Sequence, residues 1–304
     1  MPAVPVPAVP VPSRVGVIGT GAMGLGVVQS LVRNGIDVGA RDILPRAEAA
    51  AVAAGATAFP TPAALVRDYH TVILLVVDAD QIEDVLFGEH GAAAELVPGA
   101  VVIVSSTVSP AYVARLASRV AACGARMIDA PVSGGPQRAA DGTITIMLSG
   151  DAQAIAECAA VFDAIAGRRF VVGTRAGDAA TFKVLNNQLA AVNLAAAAEA
   201  LAIATHAGLD PRLFVDVVGA SSGASWIFAD RMPRALDGDY APRAATTLLK
   251  KDVGIAVDTA AALGCDAPLA RAAREAFDAA VAAGYGAEDD ASLLKYYAGR
   301  VKKM

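Results

Sequence analysis

Cysteine is scarce and unpaired in this chain. Cys123, Cys158 and Cys265 stand alone among 304 residues, with no Cys-x-x-Cys pair and no histidine at ligand spacing. That argues against a disulfide framework and a structural zinc, and it points to a reducing, cytoplasmic setting. Charge is thin as well: 18% of residues are charged against 55% hydrophobic, and the mean hydropathy is +0.50. A disordered chain does not have that composition. No basic block is present, and 25 Lys and Arg against 30 Asp and Glu leave a net charge of −5, so nucleic acid is not an expected partner. The strongest hydrophobic run, residues 71–77, falls far short of the roughly 20 residues that cross a bilayer, so no membrane span is expected. His70, His90 and His206 have no partner at triad or metal spacing, and no metal is expected. No repeat at solenoid or propeller period occurs.

What is present divides the chain in three. Residues 1–13 open with alternating Pro, Val and Ala and no basic n-region, which reads as an extended polyproline-type tail rather than a signal peptide. Residues 14–176 carry short β-rich runs at 15–18, 37–41, 72–77, 101–104 and 127–130, spaced for βαβ crossovers, with further strands at 143–149 and 169–173. That spacing predicts an α/β domain, a doubly wound and mainly parallel sheet with helices on both faces. Residues 177–304 lack strand signals and read as Ala-rich helices with breaks near 208–211, 219–223, 237–239 and 264. The first of these helices, about 178–206, has only Lys183 and Glu199 as ionisable residues between its ends, so it should be buried between the two domains.

Gly19-Thr-Gly21-Ala22-Met23-Gly24 follows the first strand and opens a helix. The first glycine suits a tight turn, the second lets backbone approach a pyrophosphate, and the third allows close helix–strand packing. A dinucleotide site is therefore expected, with phosphates at the helix N-terminus. Asp42, about 20 residues on, suits the adenosine ribose hydroxyls of NAD; Arg41 and Arg46 keep NADP open as the less favoured cofactor. Val77 closes the third strand and joins the cofactor candidates.

Two loops follow later strands at the carboxyl edge, Ser105-Ser106-Thr107 and Val132-Ser133-Gly134-Gly135. Small consecutive residues expose backbone N–H groups that can hold a carboxylate, though Ser109-Pro110 also reads as a plain helix cap and Ser-Gly-Gly as a plain turn. Lys183 and Asn187 sit at i and i+4 on the apolar helix and face one way. Desolvation of an ammonium favours its neutral, proton-accepting form, so Lys183 is the candidate acid/base. Lys251-Asp252 and Trp226 read either as site residues or as solvated face and core.

Taken together, these motifs resemble the β-hydroxyacid dehydrogenase family. The resemblance rests on the glycine turn, Ser106-Thr107, Asp129-Ala-Pro-Val-Ser-Gly-Gly135 with Gly142-Thr143, Gly177 with Lys183 and Asn186-Asn187, and Lys251-Asp252. It implies an NAD-dependent hydroxyacid dehydrogenase acting on a small carboxylate substrate. Lys183 would be the general acid/base, Asn187 would orient substrate, and Ser133, Gly134 and Gly135 would bind its carboxylate. Thr107, Trp226 and Lys251 would complete the substrate site. Ser106, Thr107, Lys251 and Asp252 would join Gly19, Gly21, Ala22, Met23, Gly24, Asp42 and Val77 around the cofactor. Three local runs, 104–107, 225–232 with 237–240, and 283–290, are similar to L-threonate-oxidising members, whereas Val104 stands where most relatives have Asp. Tartronate semialdehyde and 3-hydroxyisobutyrate are the rival substrates, and a non-catalytic dinucleotide-binding redox sensor is the rival of another class. The Ala-rich second half implies a homodimer or homotetramer.

Overall fold

Val101–Val104 is Val-Val-Ile-Val, and its alternate residues enter two different hydrophobic cores. Val101 and Ile103 join the core beneath the first helix, while Val102 and Val104 join the core on the other side. A strand covered on both faces needs no polar alternation, which is why the sheet reads as unbroken aliphatic runs. The computed structural model describes residues 13–300, so the Pro-rich tail up to Pro12 and the residues after 300 lie outside the described residues.

The described chain forms two compact units, the first ending at Lys183 and the second beginning at Val184. The first unit contains β1 (Arg14–Ile18), β2 (Asp37–Arg41), β3 (Thr57–Ala58), β4 (Thr71–Leu74), β5 (Val101–Val104), β6 (Arg126–Asp129), β7 (Val132–Ser133), β8 (Ile144–Gly150) and β9 (Ala166–Gly173). Between them run α1 (Ala22–Arg33), α2 (Pro45–Ala53), α3 (Pro62–Asp68), α4 (Ala79–Phe87), α5 (Pro110–Ala122), α6 (Gly135–Asp141), α7 (Ala152–Glu157) and α8 (Ala159–Ile165). Strands β3-β2-β1-β4-β5-β6 are parallel neighbours in that order; β8 then pairs antiparallel with β6 and β7, and parallel with β9. This is the doubly wound Rossmann arrangement, and its strand order reverses between β1 and β4, where open α/β sheets bind ligands.

Helix α9 (Asp178–His206) leads into α10 (Pro211–Gly219), α11 (Trp226–Leu236), α12 (Thr246–Ala262), α13 (Pro268–Ala280) and α14 (Leu293–Gly299). The second unit's core joins Leu194, Ala198 and Leu201 of α9 to Phe228 and Met232, Leu249 and Val253, Phe277 and Leu293. Alanines at these contacts let the helix axes approach closely.

Burial of α9 differs from the all-round burial expected of so apolar a helix. Phe182, Leu185, Leu189 and Ile203 are 54%, 50%, 63% and 61% exposed, so α9 buries one side and leaves an apolar stripe on the other. Its span matches the expected 178–206, and among the described residues α9 alone is long and apolar enough to cross a membrane by length and composition, because alanine supplies much of its apolarity.

Candidate active site

The turn from β1 into α1 is shaped by backbone crowding. Gly19 has φ +91°, and a Cβ there would lie 2.6 Å from the Leu75 carbonyl oxygen beyond β4. A Cβ on Gly24 would lie 1.9 Å from the Gly19 oxygen. Gly21 is different: it is exposed, and a Cβ would meet nothing within 4 Å. No side chain caps α1 and no acidic residue occupies its first turn, so its N-terminus is electropositive and open to an anion.

Asp42 stands at the end of β2 with both oxygens held. Its Oδ2 accepts from Thr20 N at 2.7 Å, and its Oδ1 accepts from Leu44 N at 2.8 Å. The Arg41 guanidinium is engaged by Glu48 at 3.1 Å and by the Asp42 carbonyl. A carboxylate fixed beside a neutralised arginine fits ribose hydroxyls better than a ribose phosphate. The crowded turn, the uncapped helix and this carboxylate together fit a bound NAD.

The remaining loop residues lie at the same carboxyl edge. Val77 is exposed, and its N–H donates to Gln81 Oε1 at 2.8 Å. Ser106 is buried and donates to Leu74 O at 3.4 Å; Ser105 Oγ is buried with no hydrogen-bond partner among the described residues. Thr107 is partly exposed, and Ser109 caps α5 through Tyr112 N. The segment expected as a loop at 132–135 is more ordered than that. Val132–Ser133 forms β7 against β8, and Gly134 and Gly135 lead directly into α6.

Lys183 is buried on α9, whose first turn is bonded to the carboxyl end of β6 through Asp129. Burial raises the Asp129 carboxyl above the usual aspartate range, opposed by hydrogen bonds from Ala180, Gly177 and Ser149. Lys183 therefore lies within one helical turn of the sheet's carboxyl edge. Asn187 is buried one turn further along the same face of α9. Its Nδ2 donates to Asp252 Oδ2 at 2.6 Å, and its Oδ1 accepts from Asn186 at 3.1 Å. Lys251 Nζ is 2.8 Å from the other oxygen of Asp252. Trp226, the first residue of α11, is largely exposed and so is not a core residue. Asp129 and Ser149, which hold α9, were not among the predicted site residues; no local spacing signals a bond across 48 residues. Among the described residues no group of three or more His, Cys, Asp or Glu could hold a metal.

Comparison with known proteins agrees across both halves. Residues 14–173 match the family described as the NAD binding domain of 6-phosphogluconate dehydrogenase, and residues 177–297 that of NADP-dependent 3-hydroxyisobutyrate dehydrogenase. An L-threonate dehydrogenase of Cupriavidus necator is 44% identical over 285 residues, 94% of this chain and 96% of that protein. One from Escherichia coli K12 is 41% identical over 286 residues, covering 94% and 95%. A crystal structure titled 3-hydroxyisobutyrate dehydrogenase, from Salmonella typhimurium, superposes with a TM-score of 0.87 at 40% identity over 93% of this chain and 99% of that one. This chain belongs to the β-hydroxyacid dehydrogenase family, NAD-dependent oxidoreductases that act on the CH–OH group of small hydroxy acids.

Proposed function

We propose that this enzyme oxidises L-threonate at C2 to 2-oxo-tetronate, with Lys183 taking the hydroxyl proton. The observation that carries the reading is the burial of Lys183, one turn from the sheet edge and on the same helix face as Asn187. The substrate choice rests on the relatives at 41–44% identity, which are named L-threonate dehydrogenases.

Bound NAD supplies the hydride acceptor. The chain's own residues do the rest. Lys183 Nζ, desolvated, accepts the proton as the C2 hydroxyl becomes a carbonyl. Asn187 holds the substrate oxygen, and the Ser133 hydroxyl with the Gly134 and Gly135 amides binds the carboxylate, which selects the carbon that reacts. Thr107, Trp226 and Lys251 bound the substrate. Gly19, Gly21, Ala22, Met23, Gly24, Asp42, Val77 and Ser106 hold the cofactor, with Asp42 and the Glu48-bound Arg41 favouring NAD over NADP. In this reading residues 14–176 form the NAD domain and 177–304 the substrate domain.

Lys183→Ala should lower kcat by about 10²–10⁴-fold while NADH binding, followed by fluorescence, is retained. A variant turning over near the wild-type rate removes Lys183 from the chemistry. An NAD-reduction screen over four-carbon aldonates, tartronate-level acids and 3-hydroxyisobutyrate, repeated with NADP, tests the substrate and cofactor; a preference for 3-hydroxyisobutyrate would replace L-threonate. The exposed stripe on α9 and the unpaired thiols support a cytoplasmic homodimer or homotetramer. Light scattering that returns the monomer mass would reject that assembly.

A further inference from the structure

The residue that precedes helix α9 has no side chain with which to cap it. Gly177 has φ +101°, and a Cβ there would lie 2.8 Å from Pro110 O. The first-turn amides are nonetheless all satisfied. Asp178 N donates to Arg175 O at 3.1 Å. Gly177 N and Ala180 N both donate to Asp129 Oδ2 at 2.9 Å, and Ala179 N donates to Ser149 Oγ at 3.0 Å. The Ser149 hydroxyl in turn donates to the same Asp129 oxygen at 3.0 Å. Asp129 ends β6, Ser149 is its direct partner on β8, and both are buried.

Capping is usually done by the residue that precedes the helix. Here a carboxylate and a hydroxyl paired across two strands do it from the sheet. A negative group is also favoured at a helix N-terminus. Lys183 lies three residues past Ala180, about 4.5 Å along the axis, so any slide or tilt of the first turn displaces its amine by a similar amount.

We propose that Asp129, together with Ser149, is a positioning residue that fixes the first turn of α9 to the β6–β8 edge and thereby sets the reach of Lys183 to the substrate hydroxyl. This rests on Lys183 being the proton acceptor. A cap that served stability alone would lower the melting temperature and leave turnover of the folded enzyme intact.

The test compares Asp129→Ala, Asp129→Asn and Ser149→Ala with Lys183→Ala, using L-threonate or the acid found best in the screen. Misplacement of a reacting group by about 1 Å can cost roughly 10²-fold, so Asp129→Ala should lower kcat by about 10- to 100-fold. KM and the NADH dissociation constant should stay within about threefold of wild type, since uniform binding is untouched. Asp129→Asn keeps an acceptor oxygen for the two amides and should recover most of kcat. Ser149→Ala removes one of the three bonds to that oxygen and should give a smaller loss of kcat, again without a change in KM. Should Asp129→Ala fail to fold, Ser149→Ala decides the matter. Turnover within about twofold of wild type in folded Asp129→Ala or, failing that, in Ser149→Ala, with Lys183→Ala inactive, overturns the positioning role alone. An active Lys183→Ala instead overturns the acid/base reading beneath it.

Discussion

An amide side chain has two ends of opposite character, and both ends of Asn187 are committed. Asp252 is an acceptor only, so the Asn187 Nδ2 must face it, which turns the Asn187 oxygen to Asn186. Lys251 balances the carboxylate from its other side. Asp252 was expected among the cofactor-binding residues; under the proposed function its bond to Asn187 gives it a different task, orienting the amide that this reading places beside the substrate. A hydrogen bond to a charged group is worth about 1.5–3 kcal/mol, and so Asp252→Asn should reduce kcat/KM for the hydroxy acid by roughly 10- to 150-fold. NADH affinity should change little. A parallel loss of NADH affinity, measured by fluorescence titration, would return Asp252 to cofactor binding. That Lys183 and Asn187 share one face of α9 was legible because i and i+4 on a helix is a local rule. The Asn187–Asp252 bond spans 65 residues and belongs to the packing of α9 on α12, which no spacing encodes.

At the scale of elements, the turn between β1 and α1 separates two kinds of glycine. Gly24 is needed by the protein's own backbone, since an added Cβ would sit 1.9 Å from the Gly19 oxygen. Gly21 meets nothing, so its absent side chain leaves space for something the chain itself does not fill. Gly24→Ala should therefore destabilise the fold by about 1–3 kcal/mol or more, the usual range for overpacking. Gly21→Ala should melt within a degree or two of wild type, as a surface change does, yet bind NADH several-fold more weakly. Equal losses of melting temperature in the two variants, read by calorimetry, would contradict this division. The parallel strands were legible because burial on both faces makes aliphatic runs, and β5 matches its run residue for residue. The run at 72–77 overshoots β4, which ends at Leu74, because Leu75 and Val76 leave the ladder and still pack on the cores. β3 and β7 have two residues each, too short to give any periodicity. Helix α9 is apolar on every side, so its sequence carried no sign of which face would be buried.

At the scale of the whole molecule, two of the three runs similar to threonate-oxidising relatives, 225–232 with 237–240 and 283–290, converge in the second unit on a largely buried charge network. Arg231 Nε lies 2.6 Å from Asp290 and 3.5 Å from Asp289, and Arg231 also contacts Asp230. Arg234 bridges Asp289 at 3.3 Å and Asp239 at 3.1 Å, and Arg243 reaches Asp239 at 3.8 Å. Asp289 further accepts from the Arg243 and Ala244 amides, which ties the segment before α12 to the one before α14. Four carboxylates thus face three guanidiniums, and the most enclosed pair, Asp289 and Asp290, share most of the burial. A surplus negative charge without water is relieved by taking up a proton. Burial accordingly raises the Asp290 carboxyl to about 6, more than the facing Arg231 lowers it. The folded value lies above the unfolded one of about 3.9, so the folded state holds the extra proton between them. The stability this group contributes is present in full below that lower value and is lost as pH rises through 6. Asp290→Asn mimics the protonated carboxyl and does not titrate. The melting temperature of the wild type should consequently fall relative to that of Asp290→Asn between pH 5.0 and pH 7.5. A gap between the two that stays constant, or that moves in favour of the wild type, would show that Asp290 is ionised throughout and that Arg231 outweighs its burial.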